Sequence, residues 1–142
     1  MKILHLLYQS LPNTAGSSIR SRDLIYSQLK KGITPIVITS PFQPPFEVDS
    51  KKENIEGVVY YRTFSNNRNE IVAEGNTSLV IQLKKIIQVV KFTRIVYEIA
   101  KKEKVQLIHA HAMFFCAIAA LITSFRLKIP MAYEVRSLWE ER

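Results

Sequence analysis

The stretch Val105-Gln106-Leu107-Ile108-His109-Ala110-His111, with Ile129-Pro130-Met131-Ala132-Tyr133-Glu134-Val135-Arg136 downstream, decides the fold. Each apolar run is short, Val105 to Ala110 and Ile129 to Val135, and each closes in polar side chains placed for chemistry. Between them Ala112 to Phe125 is fourteen uncharged residues long. A bilayer span needs about 20, so this segment reads as a buried core helix, Met113 to Arg126, rather than a membrane crossing. Run, helix, run predicts two strands of a parallel sheet joined by a helix, because strands buried on both faces are almost wholly apolar.

The same grammar extends upstream. Lys2 to Tyr8 and Thr34 to Ser40 are rich in Ile, Leu and Val, and Ile19 to Lys31 between them carries Ile19, Leu24, Ile25 and Leu29 at helical spacing. Gly32 supplies the helix stop. Pro41, Pro44 and Pro45 force a loop, and Val58 to Arg62 returns as a third strand after Gly57. Ser65 to Gly75 is a polar surface connection. Asn76, Thr77 and Ser78 offer capping side chains to one or two helices reaching about Lys104. Five strands separated by helices or long loops predict an α/β, doubly wound Rossmann-like parallel sheet in the order 3-2-1-4-5, with right-handed crossovers. In that order the loops after strands 1, 4 and 5 share one rim, where such sheets bind ligands.

Composition sets the outer bounds. With 142 residues, 47% hydrophobic and 23% charged, the chain is one globular domain able to bury a single core. Its start has no signal-peptide pattern. The single cysteine, Cys116, lies in the apolar helix, so it is read as a core thiol consistent with a reducing cytoplasm. The net charge is +8, and seven basic residues face two acidic ones between Leu79 and Lys104. Lys84, Lys85, Lys91 and Arg94 among them suit an anionic membrane surface, although a solvated helix face explains most such runs. No nucleic-acid motif accompanies them, so no nucleic-acid partner is expected.

Three groups at the predicted rim could carry chemistry. Gly16, Ser17 and Ser18 open the first helix, where free amides favour an anion, and Arg20 and Arg22 follow one turn on. An ordinary capped turn explains the same residues, since the pattern is not a full glycine fingerprint. His109 and His111 would share a strand face at a spacing that metals use, but with no third ligand evident no metal is expected. His111 is read instead as the substrate-facing histidine and His109 as the more core-like. Glu134 and Arg136 either pair structurally or offer an anionic and a cationic hydrogen-bonding group to a polyhydroxylated ligand. Trp139 suits a core position or a sugar-stacking platform.

Taken together these residues resemble the N-terminal, acceptor-side domain of a GT-B fold, family 4-like glycosyltransferase. The resemblance runs through Lys2 to Leu7, Ser10-Leu11-Pro12, Gly16, Arg20-Ser21-Arg22, Gly32 and Ile36 to Pro41. It continues in Glu56 to Arg62, Ile108 to His111 and Tyr133 to Glu140. It is closest to members that build bacterial surface or exported polysaccharides. It implies a retaining transfer from a nucleotide-sugar donor to a glycan or lipid-linked acceptor, without metal or cofactor. Gly16 and Ser17 would lie by the donor phosphates, His111 near the transferred sugar and the acceptor, and Glu134 and Arg136 in the cleft. The chain departs from the family in having Gly16-Ser17 where many relatives have paired glycines. It also lacks the donor-domain signature of two glutamates separated by seven residues. The resemblance therefore implies a domain spanning 1–142, truncated after the fifth strand, without its C-terminal donor-binding partner and inactive alone. The expected location is cytoplasmic, peripheral on the inner membrane face. The alternative is a non-catalytic module that docks on membrane through the basic segment Lys84 to Lys104.

Overall fold

Among the residues described by the computed structural model, 1–12, 14–43, 51–63 and 79–136 (the side chains of Val80 and Ile81 excepted), strands and helices alternate apart from one succession of three strands. The order is β1 (Lys2–Leu7), α1 (Gly16–Lys30), β2 (Thr34–Thr39), β3 (Lys52–Ile55) and β4 (Val58–Arg62). It continues with α2 (Leu79–Glu103), β5 (Leu107–His111), α3 (Phe114–Leu127) and β6 (Met131–Glu134). One sheet results, ordered β3-β4-β2-β1-β5-β6. The run β4-β2-β1-β5-β6 is parallel throughout and is the expected 3-2-1-4-5 arrangement.

The sheet has one strand more than expected. β3 pairs antiparallel with β4 through a two-residue turn, Glu56-Gly57, with φ of 49° and 87°. Two consecutive left-handed residues give the turn whose twist matches a hairpin, and glycine takes the second position without steric cost. The segment Lys52-Glu53-Asn54-Ile55 hides its strand character because an edge strand needs no continuous apolar run.

Helices cover both faces of the sheet. On one face Phe92, Val96 and Ala100 of α2 and Phe115, Cys116, Ala119 and Ala120 of α3 pack on Leu4, Leu6, Ile36, Ile38, Ile108 and Ala110. Small residues bring α3 close to the strands, and Cys116 is sealed there at 0% exposure with its thiol pushed up to about 12 by burial. On the other face Ile25 of α1 meets Leu7, Val37, Val58 and Tyr60. Helix α1 starts at Gly16, a turn earlier than its apolar spacing implied. It ends in paired reverse bonds, Gly32 N–H to Leu29 O at 3.0 Å and Ile33 N–H to Gln28 O at 3.1 Å, with Gly32 at φ +78°.

Helix α2 is a single element of 25 residues, where the sequence allowed one helix or two. At about 1.5 Å per residue it is roughly 37 Å long, against about 13–20 Å for these strands. Its C-terminal half is packed from Phe92 onward, whereas Leu83, Ile86, Ile87 and Val90 are exposed. The N-terminal half therefore overhangs the sheet at the carboxyl ends of the parallel strands. No helix among the described residues is long and apolar enough to cross a membrane. The expectations for Pro44, Pro45, Ser65 to Gly75, Asn76 to Ser78 and Trp139 lie outside the described residues.

Candidate functional site

Parallel pairing and side-chain alternation assemble the rim. In β1 and β5, His5 stands opposite His109, and in β5 and β6, His111 stands opposite Glu134. Because side chains alternate along a strand, His109 and His111 share a face, and His5 and Glu134 join them from the flanking strands. Helix α1 leaves the end of β1 and brings its first two turns over the same face. Sheet order thus gathers side chains from sequence positions 5 to 136.

Arg136 is the hub. Its Nη1 donates to Ser17 O at 2.9 Å and Ser21 Oγ at 2.8 Å, tying the end of β6 to α1. Its Nη2 lies 2.8 Å from His111 Nδ1 and 3.2 Å from Glu134 Oε2. Glu134 Oε1 takes a further ion pair from Arg20 at 3.2 Å, and Glu134 Oε2 lies 2.9 Å from His111 Nδ1. Ser17, Arg20, His111, Glu134 and Arg136 are therefore one connected cluster. Gly16 and Ser18 sit beside them in the first turn of α1. A Cβ at Gly16 would meet nothing within 4 Å, so the fold itself does not require glycine there. The buried Ser18 Oγ and Arg136 Nε have no hydrogen-bond partner among the described residues. Among the described residues no side chain caps α1, whose N-cap is Ala15; the Ser18 and Ile19 amides already donate to Ala15 O at 2.8 and 3.1 Å.

The structure adds a residue that sequence reading missed. His5 lies in an otherwise apolar strand and drew no notice, yet its Nδ1 is 3.0 Å from His111 Nε2 and its Nε2 is 2.8 Å from Gln28 Oε1. Counting registers in the predicted sheet order would have set it across from His109. The expectation that the histidine pair has no third ligand is thereby corrected, since one nitrogen from each of His5, His109 and His111 lies within 4.8 Å of the others. The expected burial order is also reversed. The His111 side chain is 2% exposed and that of His109 is 19%. His111 is enclosed by His5, Glu134 and Arg136, while His109 borders the exposed Ala132.

Burial dominates the electrostatics. It lowers the basicity of His5 to about 4, against which the hydrogen bond to Gln28 works. It drives His111 well below an ordinary histidine, with His109, His5 and Arg136 adding to the effect, and it lowers His109 too. Burial alone would raise Glu134, but the hydrogen bond and charge of Arg136 outweigh it and hold the carboxyl below its usual range. The site at neutral pH is thus three neutral imidazoles, one carboxylate and two guanidinium groups. Such an array can accept and donate hydrogen bonds to hydroxyls and can neutralise an anion.

Lys84, Lys85, Lys91 and Arg94 of α2 lie away from this hub in sequence and on another element. Lys84, Lys85 and Lys91 are exposed, and Arg94 is paired with Glu98 at 3.1 Å. Among the described residues an open groove lies between α1 and the β3–β4 hairpin, lined by Leu11, Arg22, Tyr26 and Glu56 among others; of the residues expected at the rim, Arg22 thus faces this groove, paired with Asp23 at 2.9 Å, and not the cluster around Arg136.

No protein-family model matches the chain, and no curated protein matches it in sequence. Solved structures do match its shape. The C-terminal domain of a hydrogenase from Pyrococcus furiosus is similar with a TM-score of 0.61 at 11% identity, over 94% of this chain and 90% of that one. The calicheamicin glycosyltransferase has a TM-score of 0.61 at 15% identity over 98% of this chain. Sucrose-phosphate synthase from Thermosynechococcus elongatus has 0.60 at 15% over 97%. The chain spans 34% of the length of each of these two sugar enzymes. At such identities the likeness concerns fold, and the fold is the doubly wound α/β Rossmann-like domain expected from the sequence.

Proposed function

We propose that the chain is the acceptor-side half of a retaining, family 4-like glycosyltransferase that moves a sugar from a nucleotide-sugar donor to a glycan or lipid-linked acceptor. The observation that carries the reading is the convergence at the carboxyl rim of the α1 N-terminus, the unpartnered Ser18 hydroxyl, His111, Glu134 and Arg136. The positive end of a helix suits a diphosphate, and a histidine flanked by a carboxylate and a guanidinium suits sugar hydroxyls. In this reading Gly16, Ser17, Ser18 and Arg20 contact donor phosphate or acceptor, and Glu134 and Arg136 line the cleft. His111 acts on the reacting sugar. In this reading the transfer step itself uses no metal or cofactor, and nucleic acid is not a partner.

The missing donor signature makes the chain alone inactive, because transfer requires two oriented substrates and a stabilised leaving diphosphate. Its partner is a C-terminal donor-binding domain, and its place is the cytoplasmic face of a membrane, in polysaccharide assembly. The test measures sugar transfer and nucleotide-sugar hydrolysis by the chain with and without a donor-binding domain. Turnover only with that domain is expected, and His111→Ala should reduce it at least about a hundredfold while folding persists. Turnover by the chain alone, or near-normal rates in that variant, contradicts the reading. Gly16→Ala gives a second readout: unchanged stability with weaker donor binding.

A second reading, a membrane-surface module, is favoured by one observation. The overhang of α2 exposes Leu83, Ile86, Ile87 and Val90 beside Lys84, Lys85 and Lys91. Sedimentation with anionic vesicles should fall at high salt and on Lys84→Gln/Lys85→Gln/Lys91→Gln, since electrostatic attraction is screened within about 10 Å at 0.1 M salt. Salt-independent binding, or none, removes the basic helix from the proposal.

A further inference from the structure

The chain contains three histidines, and all three meet at the rim. Their ring-nitrogen roles are constrained from outside. Gln28 Oε1 can only accept, so His5 Nε2 carries the proton of that 2.8 Å bond and a neutral His5 turns a lone pair inward at Nδ1. Glu134 Oε2, 2.9 Å from His111 Nδ1, likewise calls for a proton on that nitrogen, and a neutral His111 then turns a lone pair inward at Nε2. The two inward nitrogens are 3.0 Å apart. Two lone pairs at that distance repel unless an electron-pair acceptor joins them.

Arg136 supplies one resolution. By donating to His111 Nδ1 at 2.8 Å it moves the ring proton to Nε2, which then donates to His5. A metal ion supplies the other. Arg136 keeps Ser17 O, Ser21 Oγ and Glu134 Oε2 as acceptors when it releases the ring.

The geometry points to a binding site for a divalent transition-metal ion of the zinc class, held by His5 Nδ1, His111 Nε2 and one ring nitrogen of His109. The second-shell groups are in place: Gln28 takes the outer N–H of His5, and Glu134 takes that of His111 once Arg136 releases the ring, as metal-bound histidines require. Tetrahedral bonds of about 2.0–2.1 Å place ligand nitrogens roughly 3.4 Å apart. The three nitrogens lie within 4.8 Å of one another, and the partly exposed His109 ring can turn inward to close the set. Three histidine ligands leave a fourth position open to water or to a ligand oxygen. Arg136 and Arg20 oppose the cation, so removing Arg136 strengthens capture. Metal binding is read without donor or acceptor, so the outcome does not depend on the sugar-transfer reading.

The test uses the untagged, metal-stripped chain titrated with Co²⁺ and followed by visible absorption, then by competition with Zn²⁺. One equivalent with an intense tetrahedral d–d band is expected. Affinity should fall at least about tenfold in His109→Ala and His5→Gln, and rise in Arg136→Gln. Should circular dichroism show His5→Gln unfolded, His109→Ala decides, because its ring is partly exposed. No binding at one equivalent, or binding unchanged in His109→Ala, overturns the site and identifies surface capture only.

Discussion

Arg136 is the residue on which the rim turns, because its one guanidinium serves a backbone carbonyl, a hydroxyl, an imidazole and a carboxylate. Truncating it leaves Arg20 as the one guanidinium paired with Glu134, which keeps His111 Nδ1 at 2.9 Å, and leaves Ser21 Oγ only its bond to its own helix carbonyl, Ser17 O. Arg136→Ala should cost about 2 kcal/mol, measured by urea unfolding, since groups left unpaired on losing a charged partner carry a desolvation penalty of that order. The neighbouring histidines set a pH dependence with a definite sign. His5 and His111 are lowered in the fold, so the unfolded chain binds more protons than the native one below its own value near 6.5. Stability should be full above pH 6.5 and decline as pH falls toward 4. Denaturation midpoints across that range check this, and His5→Gln should flatten the decline. The sequence made Glu134, His111 and Arg136 visible as polar ends of apolar runs. It could not make visible which acceptor each nitrogen takes, because that depends on sub-ångström placement across three strands and a helix.

Elements were legible in proportion to how fully they are buried. β1, β2, β4 and β5 were read from apolar runs because a parallel strand under helices has little polar side, whereas β6, half-exposed at the other edge, was read from its apolar composition alone. β3 was not, since Lys52, Asn54 and their neighbours alternate between solvent and partial cover at an edge. The end of α3 offers a test at this scale. Lys128 takes the left-handed cap position, φ 54° and ψ 42°, where a side chain is strained and glycine is not. Lys128→Gly should stabilise the domain by about 0.5–1 kcal/mol, the relief of strain exceeding the added freedom of the unfolded chain. A thermal melt that moves downward would show that the lysine makes a compensating contact.

At the scale of the molecule, the order β4-β2-β1-β5-β6 is what converts scattered residues into a site, and it followed from alternation of elements alone. Phe92 links the layers: it is 1% exposed, belongs to α2 and stands edge-on to Phe115 of α3 at 6.4 Å between ring centres. Phe92→Ala should therefore cost about 3–5 kcal/mol in chemical denaturation, enough to threaten a domain whose whole stability is of order 5–15 kcal/mol. The single thiol of the chain, Cys116, lies in that same layer at 0% exposure. A water-borne maleimide can reach it only when α3 lifts from the strands, so the rate of alkylation counts openings of the layer. Any compound that seats across the rim and holds the helices down will slow that clock, whatever its chemistry.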